Sequence, residues 1–379
     1  MKSLRKYIDR IKPNFHEGGK YEKLQSTFEA FEAFLFVPNK TSQIGTHIHD
    51  AIDMKRTMAI VVFALLPATL FGIYNIGYQH FVSTSEIYSV DFWQIFWFGF
   101  IEFLPLVVVS YVVGLTIEFA SAQIKGHKVN EGYLVTGMLI PLIMPIGVPL
   151  WMLAVATAFA VILGKEVFGG TGMNIFNPAL LARAFIFFSY PSKMSGTNVW
   201  IADKPDAFSG ATPLSNIALG NINIPDFYDL FFGFIPGSVG ETSTFCILIG
   251  ALILLITGIA SFKIMFSVFL GGYCMSLIVN LTNITFYSQI PAFEQLLLGG
   301  FAFGAVFMAT DPVTGSQTKV GKYIYGFLIG LLAILIRVVN PAYPEGMMFA
   351  ILIMNLLAPL IDYYVVHANI NKRLKRLKI

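Results

Sequence analysis

WQIFWFGFIEFLPLVVVSYVVGLTIEFA, from Trp93 to Ala120, carries only two charges, Glu102 and Glu118. The run is longer than the roughly 20 apolar residues that cross a hydrocarbon core of about 30 Å. Such a segment satisfies its own backbone as a helix in lipid. The rest of the chain agrees. Of its 379 residues 56% are apolar and only 12% charged, where soluble domains carry about 25% charged residues. Similar runs fall at about 57–75, 132–145, 148–163, 178–190, 243–261, 263–281, 293–309, 321–338 and 346–367. The expected fold class is an all-α integral membrane protein of about ten transmembrane helices. The 178–190 run is short and contains Arg183, so it is expected to pack inside protein rather than face lipid.

Orientation follows from lysine and arginine in the connections. The N-terminal arm (Lys2, Arg5, Lys6, Arg10, Lys12), Lys55-Arg56 and the tail from Lys372 to Lys378 are basic. Alternate connections carry Lys125 and Lys128, Lys165, Lys263, and Lys319 with Lys322. The opposite set is nearly free of cations, and the 191–242 loop sets Lys193 and Lys204 against Asp203, Asp206, Asp226, Asp229 and Glu241. An even number of spans places both termini in the cytoplasm and that loop outside. No cleavable signal is expected, because the basic start leads into polar, aromatic sequence.

Asn177-Pro178-Ala179 precedes the fifth run and Asn340-Pro341-Ala342 the tenth. Asparagine suits a helix cap and proline a first turn. Five spans per half is odd, so the halves run oppositely, as in inverted-repeat transporters. The expected organisation is a cytoplasmic arm (1–54), a five-helix repeat (55–190), an extracytoplasmic loop (191–242), a second five-helix repeat (243–367) and a basic cytoplasmic tail (368–379).

The outer loop holds Asp206-Ala207-Phe208-Ser209-Gly210-Ala211-Thr212. A threonine hydroxyl on a flexible Ser-Gly-Ala run beside a carboxylate is open to esterification, and the order resembles an acceptor sequence for covalent flavin. The glycine-rich run Gly164–Asn174 permits close backbone approach to a ligand. It reads either as a tight turn or as one wall of a flavin or quinone pocket, with Asn174 and Asn177 at an isoalloxazine edge. Phe307–Ser316, with its Asp311-Pro312 pair, is a second irregular stretch, of structural or functional weight alike. Ionisable residues within or at the ends of spans are Glu102, Glu118, Arg183, Glu294, Arg337 and Asp362. Such groups pair or line a polar path. Arg183 is the candidate for a buried partner of a carboxylate or a flavin. Glu118 and Asp362 stand where hard oxygen ligands attract a cation. Cys246 and Cys274 lie in apolar runs and are too few for an iron–sulfur site. His47 and His49 have no further ligands near them, so no metal site is expected.

Taken in order, Gly164–Asn177, Asp206–Thr212, Phe307–Thr314 and Arg337–Gly346 resemble the B-subunit family of bacterial sodium-translocating NADH:quinone oxidoreductases, from arm to tail. That family is homologous to the Rnf complex's D-subunit family. The resemblance implies FMN held by a phosphoester at Thr212, attached by a flavin transferase that reads Asp206. It also implies a non-covalent riboflavin and electron transfer to quinone, coupled to Na+ export across the cell inner membrane. The bilayer and the A, C, D, E and F partners of the complex are implied, and no nucleic acid. By the same resemblance Glu118 and Asp362 are implicated in sodium uptake, with Glu29 and Glu32 less surely placed. Two other readings stand beside it. One is the Rnf D-subunit family, disfavoured by the long arm. The other is a channel or solute transporter built on the paired tripeptides, disfavoured because Leu180 and Tyr343 follow them where water channels place an arginine.

Overall fold

The computed structural model describes residues 2–15, 54–125, 132–205, 208–221, 224–283, 285–340 and 344–377, with isolated positions of the arm between. Asp206, Glu29, His47, His49 and residues 341–343 lie outside the described residues. Among the described residues the chain is helix, turn and loop, with no strand.

After a short N-terminal helix α1 (Lys2–Ile11) come α2 (Met54–Ser83), α3 (Phe92–Lys125), α4 (Tyr133–Leu142), α5 (Leu150–Val161) and α6 (Pro178–Ser189). The long loop contributes α7 (Pro213–Ala218) and α8 (Phe227–Phe232). Then follow α9 (Thr244–Ile256), α10 (Phe262–Thr282), the short pieces α11 (Glu294–Leu297) and α12 (Phe301–Phe303), then α13 (Lys319–Val339) and α14 (Met347–Leu377). Starts are set by local chemistry. Asn177, Thr212, Ser243 and Thr318 each accept a backbone N–H of the first turn, and proline follows the first two.

Each of the ten apolar runs contains helix, but among the described residues five helices are long and apolar enough to cross a membrane: α2, α3, α10, α13 and α14. The others are shorter or broken. With 10 residues, α4 rises about 15 Å, half a hydrocarbon core. The 293–309 run splits into α11, a break at Leu298-Gly299-Gly300, and α12 continued by a π turn over Gly304–Met308. A second π turn, Ile162–Glu166, ends α5. The α11–α12 pieces and the end of α4 are buried: Leu142, Leu298, Phe301 and Phe303 have no exposure. Irregular backbone is tolerated at membrane depth where protein covers it. The two tripeptides are not equivalent. Asn177 opens α6, whereas Asn340 closes α13 and α14 begins only at Met347. Within the long loop, Ser238 to Ser243 are buried among the helices.

Small residues let long helices touch. A Cβ on Gly271 would collide with the Phe327 carbonyl oxygen, and one on Gly330 with that of Val268, so α10 and α13 meet backbone to backbone. Gly77 and Gly99 do the same for α2 and α3. The connections 162–177, 257–261 and 309–318 gather at one end, with Lys55, Lys125, Lys165, Lys263 and Lys319; we call it the basic end. The described parts of the 190–243 loop and of the connections 283–293 and 340–346 lie at the other, the loop end.

Candidate functional site

At the loop end, Thr212 is half-buried and caps α7, its Oγ1 accepting the Ser215 N–H at 3.2 Å. The preceding run is ordered, not slack: the Gly210 N–H donates to the Thr197 carbonyl at 3.1 Å, and Gly210 and Ala211 are buried while Ser209 is exposed. Thr212 lines a cavity of about 20 Å³ with Ile235, Ser238, Glu241, Gly299 and Glu345. That is room for one water-sized particle.

Two of those residues belong to a buried ion cluster. Arg183, on α6, donates from Nη1 to Glu241 Oε1 at 2.8 Å and from Nη2 to Glu345 Oε2. The three are 3%, 7% and 17% exposed as residue or side chain, so the charges meet out of water. Arginine suits this place because its planar fork serves two carboxylates at fixed angles. One cation against two carboxylates leaves a formal charge of −1. Burial pushes the Glu241 carboxyl above its ordinary range, with Arg183 opposing and Glu345 adding to the rise. The expected carboxylate partner of Arg183 is thus found, while the guanidinium itself stays behind Glu241 and Glu345 and does not line the Thr212 cavity.

Behind this cluster lies Arg337, on α13, with no exposure. Its donors reach the carbonyls of Gln295 (2.5 Å), Leu298 (3.0 Å) and Pro344 (3.1 Å). Arg337 thereby satisfies carbonyls at the break between α11 and α12, where a helix end would otherwise be left unbonded.

The basic end holds a separate cavity of about 130 Å³, where the glycine-rich run meets the Phe307–Val313 stretch. Lys165, Asn174, Asn177, Thr310 and Asp311 are among its walls. Both π turns end here, a feature often found at functional sites. Lys165 is 3% exposed and pairs with Glu118 of α3, 5% exposed. Asn174 donates from Nδ2 to the Phe176 carbonyl (3.1 Å), and Asn177 accepts the Ala179 N–H (3.0 Å). Asp311 accepts from the Val313 N–H (3.1 Å) and the Thr314 hydroxyl (2.9 Å). The cavity is smaller than the roughly 300–1,000 Å³ of small-molecule pockets, and a three-ring flavin does not fit within it.

Asp362 of α14 is not a free carboxylate. Its Oδ1 accepts from Ser316 Oγ (2.6 Å), Thr318 N (3.0 Å) and Thr318 Oγ1 (2.5 Å), and its Oδ2 from Gln317 N (2.7 Å). In the arm, Glu32 is paired with Lys12 at 2.8 Å.

The structure therefore divides the expected site residues in two. Thr212 and the Arg183 cluster share the loop end; Asn174, Asn177 and Glu118 surround the basic end with Asp362 beside them. Sequence reasoning assigns no role to Glu241, Glu345 or Lys165. The first two lie 58 and 162 positions from Arg183, and no local pattern links them.

Long apolar helices around short broken ones, with buried ion clusters at both ends, define a multi-pass helical membrane protein with polar sites in its core. Similarity to known proteins then fixes its kin. The chain belongs to the NQR2, RnfD, RnfE family, whose model matches residues 41–371. It is 47% identical to the B subunit of the Na(+)-translocating NADH-quinone reductase of Ectopseudomonas mendocina, covering 98% of this chain and 99% of that one. The B subunits of the same reductase from Chromohalobacter salexigens (44%, covering 98% and 96%) and Pseudoalteromonas atlantica (45%, covering 98% and 99%) match as fully.

Proposed function

We propose that this chain is the B subunit of a sodium-translocating NADH:quinone reductase, a redox-driven pump of the bacterial inner membrane. The full-length similarity to proteins of that name supports the class. The reading of the site rests on one observation: Thr212 presents a half-buried hydroxyl at a helix start on the loop end, one wall away from a buried cluster of net negative charge.

In this reading FMN is esterified to Thr212 by a flavin transferase, with Asp206, Ser209, Gly210 and Ala211 completing the acceptor sequence. The residues fit a tether whose ring lies outside the chain's own cavity. That cavity holds about one water, and the negative Glu241–Glu345 side of it would disfavour the phosphate of an attached flavin. When bound, the group supplies one-electron chemistry; the chain supplies position and field. Arg183 keeps the two carboxylates in place. Riboflavin, by contrast, is too large for the basic-end cavity. With both termini cytoplasmic, that cavity is the mouth through which Na+ arrives, braced by the Lys165–Glu118 pair and by Asp362. Quinone is the acceptor, and the A, C, D, E and F partners complete the electron path.

The test is direct. The denatured protein band, from a host containing the transferase, fluoresces under ultraviolet light, and the Thr212→Ala band is dark. A dark wild-type band, or an unmodified peptide carrying residue 212 by mass, overturns the assignment.

A further inference from the structure

We infer that Asp362 is a positioning residue: its carboxylate fixes the 316–318 segment, and through Gln317 the wall of the basic-end cavity, and it does not ligate a cation. This rests on the sodium reading above and revises the role expected of Asp362 within it.

The first argument is lone-pair arithmetic. Two carboxylate oxygens offer about four acceptor sites. Three donors from Ser316 and Thr318 crowd Oδ1 and the Gln317 N–H takes Oδ2, all at 2.5–3.0 Å. A cation approaching Oδ1 would have to displace the cap in order to bind. The second argument is place. The three residues precede α13, whose amide dipoles favour an anion at the N-terminus. Thr318 completes the cap by accepting the Gly321 N–H at 3.1 Å. Gly321 belongs to the same arrangement, because a Cβ there would collide with Ser316 Oγ, Thr318 Oγ1 and Asp362 Oδ1 together. Three oxygens converge on the first turn only because residue 321 has no side chain.

The third argument is the path to the cavity. The Gln317 main chain is held by Asp362, while its side chain donates to the Pro312 carbonyl at 2.6 Å and the Gly315 carbonyl at 3.0 Å. Pro312 is a wall of the cavity, with Thr310, Asp311 and Val313. A carboxylate on α14 thus sets the position of a wall it does not itself form.

Gln317→Ala separates the two roles. It leaves Asp362 and all four of its donors intact and removes only the side-chain links to Pro312 and Gly315; the residue is exposed, so the fold is not at risk. Asp362→Asn turns one acceptor into a donor facing donors. In the assembled enzyme, both variants are expected to raise the Na+ concentration for half-maximal turnover several-fold, leaving maximal turnover closer to wild type. The double variant should be no worse than Asp362→Asn. Amide exchange at residues 317–318 should rise at least about tenfold in Asp362→Asn, the equivalent of one lost charge-assisted hydrogen bond. If Gln317→Ala keeps the wild-type Na+ response while Asp362→Asn loses it, Asp362 is a ligand and the inference fails. Unchanged exchange in Asp362→Asn sinks it as well. An enzyme indifferent to Na+ removes the pump reading instead, and the exchange experiment still decides what Asp362 does.

Discussion

At the loop end one guanidinium serves two carboxylates drawn from distant parts of the chain, whereas at the basic end one ammonium serves one. Arg183 joins α6 to Glu241 in the long loop and to Glu345 ahead of α14; Lys165, in the π turn that ends α5, pairs with the single carboxylate of Glu118 on α3 and lies over the Tyr133 ring of α4. The cavities differ too, at about 20 Å³ beside Thr212 and about 130 Å³ beside Lys165. A fork-shaped donor locks three segments and leaves almost no space. A point charge on a flexible stem serves one carboxylate, and amide and hydroxyl groups line the room left over. On the proposed function, the loop end holds a fixed object and the basic end admits a small one.

Arg183→Met should have the largest effect, because it leaves two buried carboxylates uncompensated. We expect a loss of about 3–5 kcal/mol, read as a lowered melting temperature in detergent and partly restored by adding Glu241→Gln. A cost near that of a surface pair would erase the contrast. Lys165→Met should cost less, about 2–3 kcal/mol, since the single remaining carboxylate can take up a proton; equal costs at the two ends would mean that the extra carboxylate carries no weight. The smallest effect is a pH trend. Glu241 titrates above its ordinary range, so its protonated form favours the folded state. That contribution is complete below the unfolded value of about 4.3 and is lost as pH rises through the raised folded value. Wild-type melting temperature should therefore gain on that of Glu241→Gln as pH falls from mildly alkaline to mildly acidic. A gain in the other direction would mean that Arg183 outweighs burial in setting the Glu241 titration.

Much of this architecture is legible in residue patterns. The apolar runs locate the helices because a lipid-facing or fully buried helix needs no polar face, and Asn177-Pro178 marks the start of α6 because capping chemistry is local. The second tripeptide misleads for the same reason. Asn340 sits at the end of α13, where the local pattern is alike but the direction of the helix is not. The run at 293–309 shows no sign of its break, since Leu298-Gly299-Gly300 is as apolar as what surrounds it; the break is held by Arg337, 39 positions away from Leu298. Thr212 is legible as an acceptor, but its Ser-Gly-Ala approach, flexible by composition, is held in the fold where Thr197 and Ile201 pack against Gly210. Asp362 is legible as a carboxylate near a helix end and illegible as a cap, because its donors are more than 40 positions upstream.

The backbone contact between α10 and α13 has a mechanical consequence. With no side chain interposed at Gly271 and Gly330, there is no rotamer whose change would let one helix slip along the other. The pair is thereby held in one register by main-chain contact, whatever the side chains around it do.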